Sequence, residues 1–180
     1  MPQAVTHFLI PAILVALFRD FYLKKRDRQT FPLHYVLIAG LAGLLPDIDI
    51  AIYYLFSFFG FAYGEVHRTF SHNLFVPLIF LILGFVFIGV RNRELGKHKL
   101  KLSTIFFILA FGILIHLTLD SLVAGSILPF YPLSNFEFGL DLISKLPGQF
   151  QGTIVPVIDA ILLVFWMIYL ELRHKISDFI

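Results

Sequence analysis

Residues 33–60 read LHYVLIAGLAGLLPDIDIAIYYLFSFFG, an apolar run interrupted only past its middle, by Pro46, Asp47 and Asp49. Such a run is long enough to cross a bilayer, which needs about 20 apolar residues. Proline lacks the N–H that would continue the helix. Backbone released at such a break, with two carboxylates beside it, is tolerated at membrane depth only where it lines a polar cavity. The stretch therefore predicts a membrane helix broken at Pro46. In a straight helix Asp47 and Asp49 would point to nearly opposite sides, whereas a break can turn both into one cavity. A plainer reading is a Pro-Asp cap at a bundle kink.

The rest of the chain agrees with a membrane setting. Of its 180 residues 58% are hydrophobic and 14% charged, and the mean hydropathy is +0.86. Soluble domains are about 45–50% apolar and about a quarter charged. Further apolar runs cover 5–23, 73–90, 103–124 and 153–172. The expectation is an all-α integral membrane bundle of about five transmembrane helices, forming one domain over residues 1–180. The N-terminus lacks the basic flank and small-residue cleavage site of a signal peptide, so it is expected to stay in the mature protein.

Charge orients the helices. KKRDR (24–28), RNRELGKHKLK (91–101) and RHK (173–175) are basic, while 60–72 and 125–152 carry one arginine and one lysine between them. Basic loops stay cytoplasmic. This alternation predicts a multi-pass cell-membrane protein with its N-terminus outside and its C-terminus in the cytoplasm. The net charge of +2 lies in short clusters rather than a basic stripe, which argues against a nucleic-acid partner.

On that map most intramembrane polar residues fall in one layer near the outer face: His7, Asp47, Asp49, His67, His72, His116, Asp120 and Asp159. A carboxylate in hydrocarbon costs several kcal/mol unless paired, bound to a cation or facing water, so the layer is a candidate functional site. His116 and Asp120, spaced i,i+4, share one helical face. They can hold one metal, or the aspartate can orient the histidine, or the two can simply bridge helices. His67 and His72 do not share a helical face, so at least one lies on irregular backbone, and Ser71 is well placed to cap the following helix. Arg68 between them can take a phosphate or pair with an aspartate. With no cysteine, any metal needs imidazole and carboxylate ligands, which suit zinc, manganese or iron. HExxH, GxSxG and Gly-rich phosphate motifs are absent.

In order, TH (6–7), LLPDID (44–49), HRTFSHN (67–73), HLTLDSL (116–122) and LPFYPLSNFEFGL (128–140) resemble the YdjM-like family of membrane-bound, predicted metal-dependent hydrolases. The resemblance covers about residues 6–140 and implies His7, Asp47, His67, His72, His116 and Asp120 as metal ligands, with Asp49 and Arg68 close by. A looser similarity to zinc-dependent phospholipase C follows from the dispersed His and Asp. The chain has fewer histidines than a trinuclear site needs, so one or two ions are expected, zinc first and manganese or iron next.

A hydrolase site at headgroup depth can meet a lipid without drawing it far from the bilayer, so the expected function is hydrolysis of a phosphoester in a membrane lipid or lipid-linked molecule by a metal-activated water. Asp49 or Asp120 would act as general base and Arg68 would steady the phosphate. The aromatic segment 128–138 is expected at the membrane interface, near the entrance. The competing expectation is a non-catalytic transporter or partner-binding scaffold with a structural metal or polar cluster.

Overall fold

The computed structural model describes residues 4–23, 27, 30–60, 67, 70–89, 94–96, 99–123 and 125–175. Helix α1 (Ala4–Leu17) runs into a π-helical turn, Phe18–Tyr22. The broken segment is two nine-residue helices, α2 (His34–Ala42) and α3 (Ile48–Phe56), the latter tightening into a 3-10 turn, Ser57–Phe59. Next come α4 (Phe75–Ile88) and a two-stranded hairpin of β1 (Glu94–Leu95) and β2 (Leu100–Lys101). The chain continues with α5 (Leu102–Val123), short α6 (Gly148–Gln151) and α7 (Ile154–His174).

Among the described residues three helices are long and apolar enough to cross a membrane: Ala4–Tyr22, Leu102–Val123 and Gly148–His174. The other two expected spans are shorter apolar helices. The second is divided because residues 43–47 form a turn, as expected from Pro46, though helix α2 ends ahead of the proline. The third has 14 residues, about 21 Å at 1.5 Å per residue, against a hydrocarbon core of about 30 Å. It begins late because the chain up to Leu74 stays irregular. Its first amides are satisfied not by Ser71 but by Asn73, whose Oδ1 accepts from Phe75 N at 3.0 Å and Val76 N at 3.3 Å. The Ser71 hydroxyl instead donates to the Asp49 carboxylate at 2.6 Å, a charge-assisted bond that outcompetes a cap.

Helix α5 packs between α4 and α2, α2 packs on α1, and α7 lies mainly against α1. Association inside a bilayer relies on close packing, which small residues permit. A Cβ on Gly112 of α5 would fall 2.5 Å from the Ala42 Cβ and 2.9 Å from the Ala39 carbonyl oxygen, so only glycine lets α5 cross α2 this closely. One core gathers Ala12, Val15, Ala16, Tyr35, Val36, Ala39 and Ile108 between α1, α2 and α5. Ile113 and Leu117 pack with Ile127 as a second core beneath the segment after α5. That segment folds back through an Ile127–Phe138 bridge and a bond from Leu74 N to the Pro129 carbonyl (2.9 Å), leaving Leu133 and Phe136 exposed. Helix α7 buries only Val155 and Asp159 and exposes apolar side chains around most of its circumference, as a lipid-facing helix does.

Candidate metal centre

The tight α5–α2 crossing places the first ligand candidate. His116 stands one turn beyond Gly112 on the same face and meets the end of α2, where its Nδ1 donates to the Gly43 carbonyl at 2.7 Å. The His7 carbonyl occupies the space a Cβ on Gly43 would need, so glycine there lets the break sit against α1 beside His7. Asp47 closes the break and Asp49 lies in the first turn of α3. His67 and His72 lie in the irregular chain ahead of α4. Asp120 follows His116 by one turn on α5.

These elements bring together all six residues expected as ligands. His72 Nε2 and His116 Nε2 lie 3.1 Å apart. Asp120 Oδ2 lies 3.5 Å from the first and 3.7 Å from the second. Asp47 Oδ1 lies 3.6 Å from His72 Nε2 and 3.7 Å from His116 Nε2. Two triangles thus share the His72–His116 edge. Ligands about 2.0–2.2 Å from a tetrahedral zinc stand about 3.3–3.6 Å from one another, close to these edges. His7 stacks on His116, ring centroids 3.9 Å apart, and its Nε2 is 3.3 Å from Asp120 Oδ1. Three sets of donor atoms lie within 4.8 Å of one another: His7, Asp47 and His116; Asp47, His67 and His72; and His72, His116 and Asp120. All these residues are buried except Asp47, whose side chain is 24% exposed and marks the open edge.

Asp49 occupies the layer behind the donors. Its Oδ1 meets His67 Nδ1 at 2.9 Å and its Oδ2 lies 3.2 Å from His72 Nδ1. One carboxylate thereby aims two imidazoles, the support that metal-binding histidines commonly have. The hydrogen bonds also assign tautomers. A carbonyl only accepts, so His116 carries its proton on Nδ1 and presents a lone pair at Nε2. His72, with Asp49 at Nδ1, does the same when neutral. Two such lone pairs at 3.1 Å repel unless a cation lies beside them. Burial lowers the His72 pKa, but hydrogen bonds to Asp47 and Asp49 and the charges of Asp49 and Asp120 outweigh it, and the net direction is upward from the usual 6.5. The position favours positive charge, a proton or a metal ion, and the mixed imidazole and carboxylate donors fit a divalent metal. His7 Nδ1 is a further buried atom without a hydrogen-bond partner among the described residues.

Arg68 lies outside the described residues. Asp159 joins none of the three donor sets. It accepts a hydrogen bond from the Thr6 hydroxyl and ties α7 to α1 next to His7. Sequence reasoning missed a second polar cluster at the other end of α1. Buried Asp20 is reached there by Arg19 Nη1 (2.6 Å), Tyr169 OH (2.6 Å) and His174 Nε2 (3.1 Å). Its signal was available, an aspartate inside an apolar run facing a C-terminal helix with Tyr, Arg and His at its end.

The model of the YdjM inner membrane protein family matches residues 1–176. No curated protein and no solved structure matches the chain.

Proposed function

The chain belongs to the YdjM inner membrane protein family and is a membrane protein, and from that premise we propose that it is a metal-dependent hydrolase of a phosphoester in a lipid or lipid-linked molecule. The observation that carries this reading is the pair His72 Nε2 and His116 Nε2, 3.1 Å apart between two aspartates with their outer nitrogens already engaged. One or two ions of zinc, manganese or iron would be held by His7, Asp47, His67, His72, His116 and Asp120. Bound there, a divalent metal supplies Lewis acidity and lowers the pKa of a coordinated water.

The remaining work falls to the chain's own groups. Asp47, on the open edge, faces the approach of substrate. Asp49, with both oxygens engaged, is assigned to orienting His67 and His72. Asp120 is then the better general base where the metal leaves one of its oxygens unused, its carboxylate lying between His7 and the His72–His116 pair. Arg68, one residue from His67, is assigned to the substrate phosphate on sequence grounds. The five-span arrangement, with the N-terminus and this layer outside and the C-terminus in the cytoplasm, completes the reading and sets the site at headgroup depth.

A transporter would need a polar path between the His/Asp layer and the Asp20 cluster. The buried residues between them on α1, Leu9, Ala12, Ile13, Val15 and Ala16, are apolar, which favours the hydrolase. The test is hydrolysis of phospholipids and lipid-linked phosphates, read as released phosphate or phosphorylated headgroup, by purified zinc- or manganese-loaded protein, with and without chelator. Chelator-sensitive release that Arg68→Ala loses while keeping its metal supports the proposal. Release unaffected by chelator, or no release from any phosphoester by metal-loaded protein, overturns it. The chain has no native cysteine, so single introduced cysteines at Ser134 and Ser177 report sidedness directly.

A further inference from the structure

A second feature lies away from the metal centre. Helices α1 and α7 are joined by a polar clasp at each end, Thr6 with Asp159 at one and Asp20 with Tyr169 and His174 at the other. Between the clasps the helices part and leave a groove of about 220 Å³. Its floor is Ala12 and Ala16. Its walls are Val36 and Leu37 of α2, and Trp166 and Leu170 of α7. Phe8 to Ala16 spans about 12 Å along the helix axis. The lining is apolar until the far end, where His174 enters it beside the Asp20 cluster.

That end is cationic. Asp20 is already met by Arg19, Tyr169 and His174. Arg173 pairs with the same carboxylate at the longer distance of 3.8 Å through Nε, donates from Nη2 to the Asp20 carbonyl at 3.3 Å and lies over the Phe21 ring at 5.7 Å, yet its side chain stays 43% exposed and can face a further anion. Lys175, also exposed, follows the last turn of α7, and Glu171 one turn back is the acidic neighbour on that helix. An apolar groove open to hydrocarbon, ending in a basic rim at a helix terminus, has the form of a site for a lipid of opposite charge. We propose that this groove binds one acyl chain of an anionic phospholipid, with the lipid phosphate held by Arg173 and Lys175. The site is separate from the metal centre and stands whether or not the protein is a hydrolase.

Trp166 is the single tryptophan of the chain and forms one wall of the groove, so its fluorescence reports the occupant. The full-length protein is placed in micelles of unlabelled zwitterionic lipid and titrated with acyl-brominated phosphatidylglycerol or acyl-brominated phosphatidylcholine. The anionic lipid is expected to quench at a much lower mole fraction, with about fivefold of the preference supplied by each basic residue. Lys175→Gln, at an exposed position past the helix, should lose about fivefold of it, and Arg173→Gln with Lys175→Gln should abolish it. Ala16→Leu should reduce the headgroup-dependent quenching by filling the floor. Superimposable titrations for the two lipids in the wild type would mean bulk lipid contact and overturn the proposal. So would a preference that survives the double substitution, or a groove closed to both lipids by a second copy of the chain.

Discussion

His72 and His116 meet through their Nε2 atoms at 3.1 Å, although they come from an irregular loop and from the middle of a long helix. Each ring is fixed from behind, His72 by Asp49 and Ser71 and His116 by the Gly43 carbonyl. The approach is therefore imposed by the fold, and the charge it calls for is its most direct experimental handle.

Purified protein loaded with zinc or manganese and then desalted should retain about one or two ions per chain. His116→Ala and Asp47→Ala should retain none above background by elemental analysis. Equal metal in all three proteins would remove these residues from the ligand set.

Asp49→Asn should behave differently. The imidazoles keep a hydrogen-bonding neighbour but lose the carboxylate that orients them. Metal affinity should fall by about 10–100-fold rather than vanish, measured by competition with a chromophoric chelator. Complete loss would make Asp49 a ligand, and no change would make its contacts with His67 and His72 incidental.

Proton and metal compete for the same place. The His72 pKa is raised, so its protonated form persists above pH 6.5 and gives way only as pH rises through the shifted value. Metal binding must displace that proton. Affinity should therefore decline on acidification from a pH already above 6.5, at about tenfold per pH unit for one displaced proton. Zinc titrations between pH 8 and pH 6 check the slope, and a flat profile would contradict the competition.

Gly112→Leu should loosen the α5–α2 crossing at the cost typical of overpacking, about 1–3 kcal/mol, and with it the placement of His116. Thermal unfolding followed through Trp166 should show the lower midpoint. Gly148→Ala, where a Cβ meets nothing within 4 Å, should leave it unchanged.

The broad outline was legible because ionisable side chains stand out against hydrocarbon. His7, Asp47, His67, His72, His116 and Asp120 are exceptions in apolar surroundings, and the structure gathers them. Pro46 announced a break, since no proline continues a helix there unaided. The roles within the break were not legible. Helical periodicity ends at Ala42, so nothing local says that Asp47 reaches the Nε2 side of His72 while Asp49 takes Nδ1. Ser71 looked like a cap because hydroxyls cap helices, but a carboxylate from another segment was the stronger acceptor. Asp20 escaped notice because a carboxylate near a helix end can reach water, and only the return of α7 buries it.

All six candidate ligands precede Val123, whereas α7, the last helix, reaches the bundle chiefly through α1. During synthesis at least 60 residues (180 less 120) are still to be added when the last of the donors, Asp120, has been joined to the chain. Were these residues to take up a metal ion, loading could begin on the nascent chain before synthesis ends. The closing helix would act as a late fastener, and release of a chain stalled after residue 147 with its metal aboard would show that order.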